Sequence, residues 1–288
     1  MSSLDQYEAM IRLSAFAGIF LIMAILEIAI PRRKRVLAKG IRWFTNISLV
    51  IVDTLALRLI MPILAVGMAD YAAGRGWGML ALVDLPLWIE IIIAFLLLDM
   101  LIYAQHIAFH KIPFLWRFHK VHHADRDLDV TSGARFHPVE AVISMAYKLL
   151  CITLIGPAAF AVFLFEVVLN AASMFNHANV RLPLGLDRAV RLFIVTPDMH
   201  RVHHSVIERE TNSNYSFFLT LWDRMFGTYI AQPEKGHDDM IIGLSEYQDD
   251  KPANLIWSLI IPFVRNRHAQ IKTGGHSEEE RRPVFKSD

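Results

Sequence analysis

Four stretches of the chain are apolar almost without interruption, and the polar residues gather between them. Ala9 to Ile30 is uncharged from Leu13 to Leu26 and stops at Pro31-Arg32-Arg33-Lys34-Arg35. Phe44 to Met68 follows, carrying Asp53 and Arg58, and then Leu85 to Ala104, carrying Glu90 and Asp99. Val139 to Phe175 is apolar for 37 residues, with Gly156-Pro157 near its middle. A helix needs about 20 residues to cross a bilayer. The first three stretches therefore predict one span each. The fourth predicts a hairpin of two helices, broken where proline disfavours helix. Basic residues follow the first apolar stretch instead of preceding it, which predicts a retained anchor and not a cleaved signal peptide.

Composition supports a membrane reading. Of 288 residues, 54% are hydrophobic and 20% charged, and mean hydropathy is +0.36. Soluble domains carry roughly 25% charged residues. Disorder, collagen-like repeats and coiled coils are excluded, and an ordinary soluble enzyme is disfavoured. A net charge of +1 gives no electrostatic case for nucleic acid. The one cysteine, Cys151, excludes an internal disulfide framework and cysteine-paired zinc sites. Six basic residues between Pro31 and Arg42 place that segment in the cytoplasm by the positive-inside rule. Counting crossings puts Tyr71 to Asp84 outside and the His106–His137 segment inside, and the hairpin returns the chain to the inner face at His177. Asn254 to Val264 reads as an interfacial amphipathic helix, and Arg265 to Asp288 as a polar, mobile tail.

Ten of the 13 histidines fall between His106 and His204, and this topology brings all ten to one face. They run His106-x3-His110, His119-x2-His122-His123, single His137 and His177, then His200-x2-His203-His204. Residues at i, i+3 and i+4 share a helix face, so each cluster can aim its imidazoles at one point. Pro113 suits the first turn of the helix carrying His119. Thr196-Pro197-Asp198 reads as N-cap, first position and acidic first turn for the helix carrying His200. Neutral imidazoles bind zinc, copper, iron or nickel. One zinc needs three or four ligands, so eight to ten histidines suffice for two ions. His237, His268 and His276 lie in polar, loop-like sequence and are left out. No serine–histidine–acid arrangement, phosphate loop or dinucleotide fingerprint is present, and Gly74-x-Gly76 reads as a turn.

These motifs resemble the fatty acid hydroxylase superfamily, also called the sterol desaturase family. So do Arg135-Phe136-His137-Pro138-Val139-Glu140, Phe175-Asn176-His177-Ala178-Asn179, Thr196 to His200, Asn214-Tyr215, and Trp222 through Tyr229. The resemblance runs from about Leu85 to Tyr229. It implies an integral membrane non-haem di-iron enzyme that uses oxygen and two electrons on lipid chains or sterols. It implies His106, His110, His119, His122, His123, His200, His203 and His204 as ligands, with His137 and His177 as further ones. It implies two iron ions, with zinc as a possible substitute, and O2 as co-substrate. The chain has no spare domain for a haem carrier, so a separate ferredoxin or cytochrome-type donor with its reductase is implied.

Helical spacing adds neighbours. Asp99 lies seven residues before His106, where its carboxylate could accept the ligand's other N–H. Glu166, Asn170, Ser173 and His177 form one polar stripe, predicted to face the metal cavity or the substrate path. Asn179 joins this set. Asp53 and Arg58 lie too far apart around a helix to pair with each other, so each is expected to find a partner elsewhere. Lys148 is expected to snorkel.

The expected fold is all-α: a membrane bundle of four to five spans under a cytoplasmic, histidine-rich helical cap, in a bacterial inner membrane. Residues 1–84 are membrane helices, 85–231 the catalytic domain, and 232–288 an interfacial helix and tail. The expected function is oxygen-dependent lipid hydroxylation at unactivated C–H bonds. A desaturase or sterol demethylase on the same iron site is the enzymatic alternative. A metal transporter is the distant one, because its ligands should lie near the bilayer midplane.

Overall fold

The computed structural model describes residues 3–264. The predicted tail, with His268 and His276, lies outside the described residues. Among those described there is no strand, only isolated bridges such as Pro31 to Val180. Five helices are long and apolar enough to cross a membrane. The chain is an integral membrane protein, and its exterior fits that setting. Leu13, Leu21, Leu59, Leu82 and Ile28 are all more than half exposed, and so large an apolar surface is tolerable only in lipid.

Helix α1 (Ser3–Ala29) packs along α7 (Ala159–His177) at the edge of the bundle. Between them in sequence come α2 (Lys39–Ile60), α3 (Ala65–Ala73), α4 (Leu87–Lys111), α5 (Pro113–His123) and α6 (Pro138–Ile155). The expected hairpin over 139–175 is α6 and α7, joined by three residues at Gly156 to Ala158. The second predicted span, Phe44 to Met68, is instead two helices. Pro62 removes a backbone donor and pushes Met61 into extended conformation (φ −93°, ψ 117°). Small residues then let α3 lie close against α6 and α7. Ala65 and Ala69 pack with Leu98 and Ile102 of α4, Ile152 and Ile155 of α6, and Val162 and Phe165 of α7. Helix α4 runs past the predicted span end at Ala104, so His106 and His110 sit on its continuation.

Short helices follow α7: α8 (Leu184–Val190), α9 (Pro197–His203), α10 (Glu208–Thr211), α11 (Leu221–Met225), α12 (Gly236–Asp239) and α13 (Leu255–Ile260). With α5 they close over one end of the bundle. The predicted start signals hold: Pro113 and Pro197 occupy first-turn positions, and Thr196 Oγ1 accepts from Met199 N. Ser258 of α13 is buried while Ile256, Ile260 and Phe263 beside it are exposed, leaving an apolar outer face on the Asn254–Val264 segment.

A buried polar network joins cap to bundle. Arg42 of α2 is fully buried and grips Asp125 with two bonds of 2.7 Å and Asp129 at 2.6 Å. Arg135 donates to Asn46 Oδ1, Val121 O, Pro252 O and Ser258 Oγ. Two expected pairings are absent among the described residues. Asp53 Oδ1 is buried without a hydrogen-bond partner, and Arg58 is exposed near the end of α2. Lys148 does not snorkel; its ammonium donates to Glu166 Oε1 at 2.9 Å.

The hairpin turn depends on two glycines. Gly156 has φ +66°, and a Cβ there would lie 2.3 Å from Trp77 O. A Cβ on Gly78 would lie 2.2 Å from Gly156 N. Gly156→Ala should therefore cost about 1–3 kcal/mol, read as a lower thermal midpoint in detergent. Gly185→Ala, with open space around it and no positive φ, should leave the midpoint unchanged or slightly raised.

Candidate metal centre

Four elements bring nine histidines together. Helix α4 supplies His106 and His110, α5 supplies His119, His122 and His123, the last residue of α7 is His177, and α9 with its C-cap supplies His200, His203 and His204. They form two groups whose nearest ring nitrogens all lie within 4.8 Å of one another. One is His106, His110, His119, His123 and His203; the other is His122, His177, His200 and His204. All are buried except His110, which is partly exposed.

Their second nitrogens decide what the groups can do. Nδ1 of His106 meets Tyr215 O at 2.7 Å, that of His122 meets Arg135 O at 3.2 Å, that of His177 meets Ser173 O at 2.7 Å, and that of His203 meets Ser213 O at 2.6 Å. A carbonyl oxygen can only accept, so each of these nitrogens carries the proton and Nε2 is bare. His119 Nδ1 meets Glu140 Oε1 at 2.6 Å in the same way. Yet His106 Nε2 faces His119 Nε2 at 3.2 Å, and His122 Nε2 faces His177 Nε2 at 3.1 Å. Two bare lone pairs at that distance repel unless a cation lies between them. Further ring nitrogens of His110, His123, His200, His203 and His204 are buried without partners. This donor set fits first-row transition metals, and the fixed Nδ1–H groups are the supports that orient metal-bound imidazoles.

Protonation does not compete. Burial pushes His119 down to about 3. Burial, with the neighbouring rings adding to it, also holds His122, His123, His200, His203 and His204 well below 6.5. The imidazoles are thus neutral and available as ligands at pH 7.

The remaining expectations divide. His137 is not brought into either group. It caps α6, its Nδ1 accepting from Val139 N at 3.1 Å, and this turns Nε2 away to Leu259 O at 3.2 Å. Asp99 does not reach His106, whose Nδ1 is taken by Tyr215. It accepts from Trp222 Nε1 at 2.8 Å and Leu219 N at 3.1 Å, tying α4 to the loop that presents Tyr215. Ser173 and Asn170 line a cavity of about 170 Å³ that His106, His119 and Glu140 also line. Glu166 stands behind that cavity, paired with Lys148 and with Arg12. Asn179 lies elsewhere, bound to the backbone of Arg33 through both side-chain atoms.

Several supporting residues lay outside the sequence expectation. Glu140, in the first turn of α6, orients His119. Asp223 accepts from Tyr215 N, Ser216 N and Thr228 Oγ1, and so holds the loop whose carbonyl orients His106. Asn214, at φ +48°, bonds to Met199 O, Ile230 O and Ile230 N, fixing the same loop against α9. A first-turn acid after His-Pro and an Asn-Tyr dipeptide were the signals available, and both sit in the stretches that resemble the family.

Two outcomes follow from this geometry. Glu140→Leu should weaken metal retention about 10- to 100-fold, measured by competition with a chelator. In metal-stripped protein, unfolded histidines take up protons near pH 6.5 while folded His119 resists until about pH 3. The unfolded state binds more protons in that window, so stability falls as pH drops below about 6.5 and keeps falling toward 3. Denaturant unfolding at stepped pH reads this slope.

Known proteins bear on the whole arrangement. An ornithine lipid hydroxylase of Rhizobium tropici is 31% identical over 157 residues, 54% of this chain and 46% of that protein. An alkylglycerol monooxygenase of Danio rerio is 32% identical over 144 residues, 50% of this chain and 31% of that one. A cholesterol 25-hydroxylase of Rattus norvegicus is 29% identical over 147 residues, 50% of this chain and 48% of its own length. The matched stretch spans less than half the length of each relative. No solved structure matches the chain. Residues 91–228 match the fatty acid hydroxylase family, a range that contains every histidine of both groups, and over that range the chain is similar to this family.

Proposed function

We propose that the protein is a membrane-bound, oxygen-dependent lipid hydroxylase with two irons, its catalytic region spanning residues 85–231. The observation that carries this is the pair of opposed, bare Nε2 atoms in each histidine group, set against a cavity that opens among membrane helices. His106, His110, His119, His123 and His203 would hold one iron, and His122, His177, His200 and His204 the other. Bound iron supplies the activation of oxygen and the removal of hydrogen from an unactivated C–H bond.

The protein's own residues do the rest. Ile102, Phe109, Phe136, Leu169 and Phe217 line the cavity, exclude water and hold an alkyl chain beside His106 and His119. Glu140, Ser173 and the Ser213–Tyr215 loop keep the imidazoles in one tautomer, so no ligand reorients during turnover. No side chain is needed as a nucleophile. On the other side, a cleft of about 310 Å³ lined by Trp116, Glu208 and Glu246 reaches His110. We assign this cleft as the approach for a separate electron donor of ferredoxin or cytochrome type. The basic Pro31–Arg42 segment supports a cytoplasmic metal face in a bacterial inner membrane. Relatives named for an ornithine lipid, alkylglycerol and cholesterol support a lipid substrate.

The test is untargeted lipid mass spectrometry of a host expressing the protein, against one expressing His203→Ala at matched level. The expected result is a lipid gaining one oxygen atom with the wild type only. A lipid losing two hydrogens would replace hydroxylation with desaturation. No mass change, together with no lipid-stimulated oxygen uptake in the presence of a reductase, would overturn the assignment.

A further inference from the structure

The cavity beside the metal centre has a polar far end. On α6, Glu140, Ser144 and Lys148 follow one another at i, i+4 and i+8, and all three line the cavity. Glu140 touches His119; Lys148 is eight residues further on, about 12 Å along the helix axis. Asn170 of α7 lines the same end, and Glu166, one turn beyond it, receives the Lys148 ammonium at 2.9 Å. Lys148 thus lies in the middle of an 18-residue membrane helix. An ammonium at that depth is costly, and such groups mark functional paths. One of its three N–H bonds goes to Glu166, and among the described residues no other accepts the rest.

Charge balance says what the free donors can take. Glu166 also pairs with Arg12 at 2.9 Å, and Arg12 with Glu8 at 2.8 Å. Two cations and two carboxylates already neutralise one another. A third carboxylate entering from the cavity would be a buried anion without a counter-charge, whereas a neutral oxygen would only gain hydrogen bonds.

We infer that Lys148 binds the oxygen-bearing end of the substrate, that this oxygen belongs to a neutral hydroxyl or carbonyl group, and that it is held about two helical turns along α6 from the Glu140–His119 contact. The inference rests on the lipid hydroxylase reading and names its substrate class: a lipid with an uncharged polar end seated at membrane depth. Lys148 is a positioning and specificity residue, since its distance from the histidines keeps it from the reacting atoms.

The test is binding of hexadecane, hexadecanol, methyl hexadecanoate and ionised hexadecanoate to purified, metal-loaded protein in detergent. Hexadecanol or the methyl ester should bind about tenfold tighter than hexadecane, the ratio one charge-assisted hydrogen bond supplies. Which of the two is favoured separates hydroxyl from carbonyl. Lys148→Met should erase the margin while metal content stays at the wild-type level, because Glu166 keeps Arg12. Should Lys148→Met fail to fold, Ser144→Leu fills the cavity one turn before Lys148 and should erase the margin too. A margin that survives the folded variant overturns the inference, as does tightest binding of hexadecanoate, or equal binding of alcohol, ester and alkane to the wild type. Probe binding as expected, but with no oxygen uptake on any lipid, would keep this site and retire the hydroxylase reading.

Discussion

Bare imidazole nitrogens facing one another at about 3 Å, away from water, are the constraint on which this protein is built. Neutral rings in such an arrangement have no hydrogen to share, because their protons are committed on the opposite side. Burial alone would make the cluster unfavourable. A metal cation reverses the sign, turning each lone pair into a bond. The fold's task is therefore to hold nine rings in a posture that is poor for protein alone and good for protein with metal.

That posture is enforced from outside the cluster. Tyr215, Arg135, Ser173 and Ser213 lend backbone carbonyls, and Glu140 lends a carboxylate. The carbonyl acceptors are themselves anchored. Asp223 and Asn214 pin the loop carrying Ser213 and Tyr215, Asp99 ties that loop to α4, and Arg135 is locked by four acceptors reaching from α2 to α13. Arg42 with Asp125 and Asp129 fastens the cap to the membrane helices. Removing one partner of such a buried pair leaves an uncompensated charge, so the network is demanding as well as rigid.

The centre has two unlike sides. Toward the membrane lies an apolar cavity that ends at the Lys148–Glu166 pair. On the other side His110 is partly exposed to a cleft bearing Trp116 and two glutamates. The histidines thus border two separate cavities, one mainly apolar and one polar.

Much of this was legible in the chain. Apolar length and the Gly156-Pro157 break determined the spans and the hairpin, because a bilayer demands about 20 apolar residues per helix. Histidine spacing determined which rings share a face, because the helix repeat is local geometry. Eight of the nine clustered histidines sit in spaced motifs, and His177 follows from the α7 polar stripe. Tertiary structure alone decided the rest. Whether His137 turned inward depended on a cap bond to its own helix. Whether Asp99 met a histidine depended on a carbonyl more than a hundred residues away claiming His106 first. Pairing of Glu166 with both Lys148 and Arg12 depended on three helices meeting. Hydrogen-bond partners across the fold go to the nearest competent atom in space, and periodicity along one helix cannot say which atom that will be.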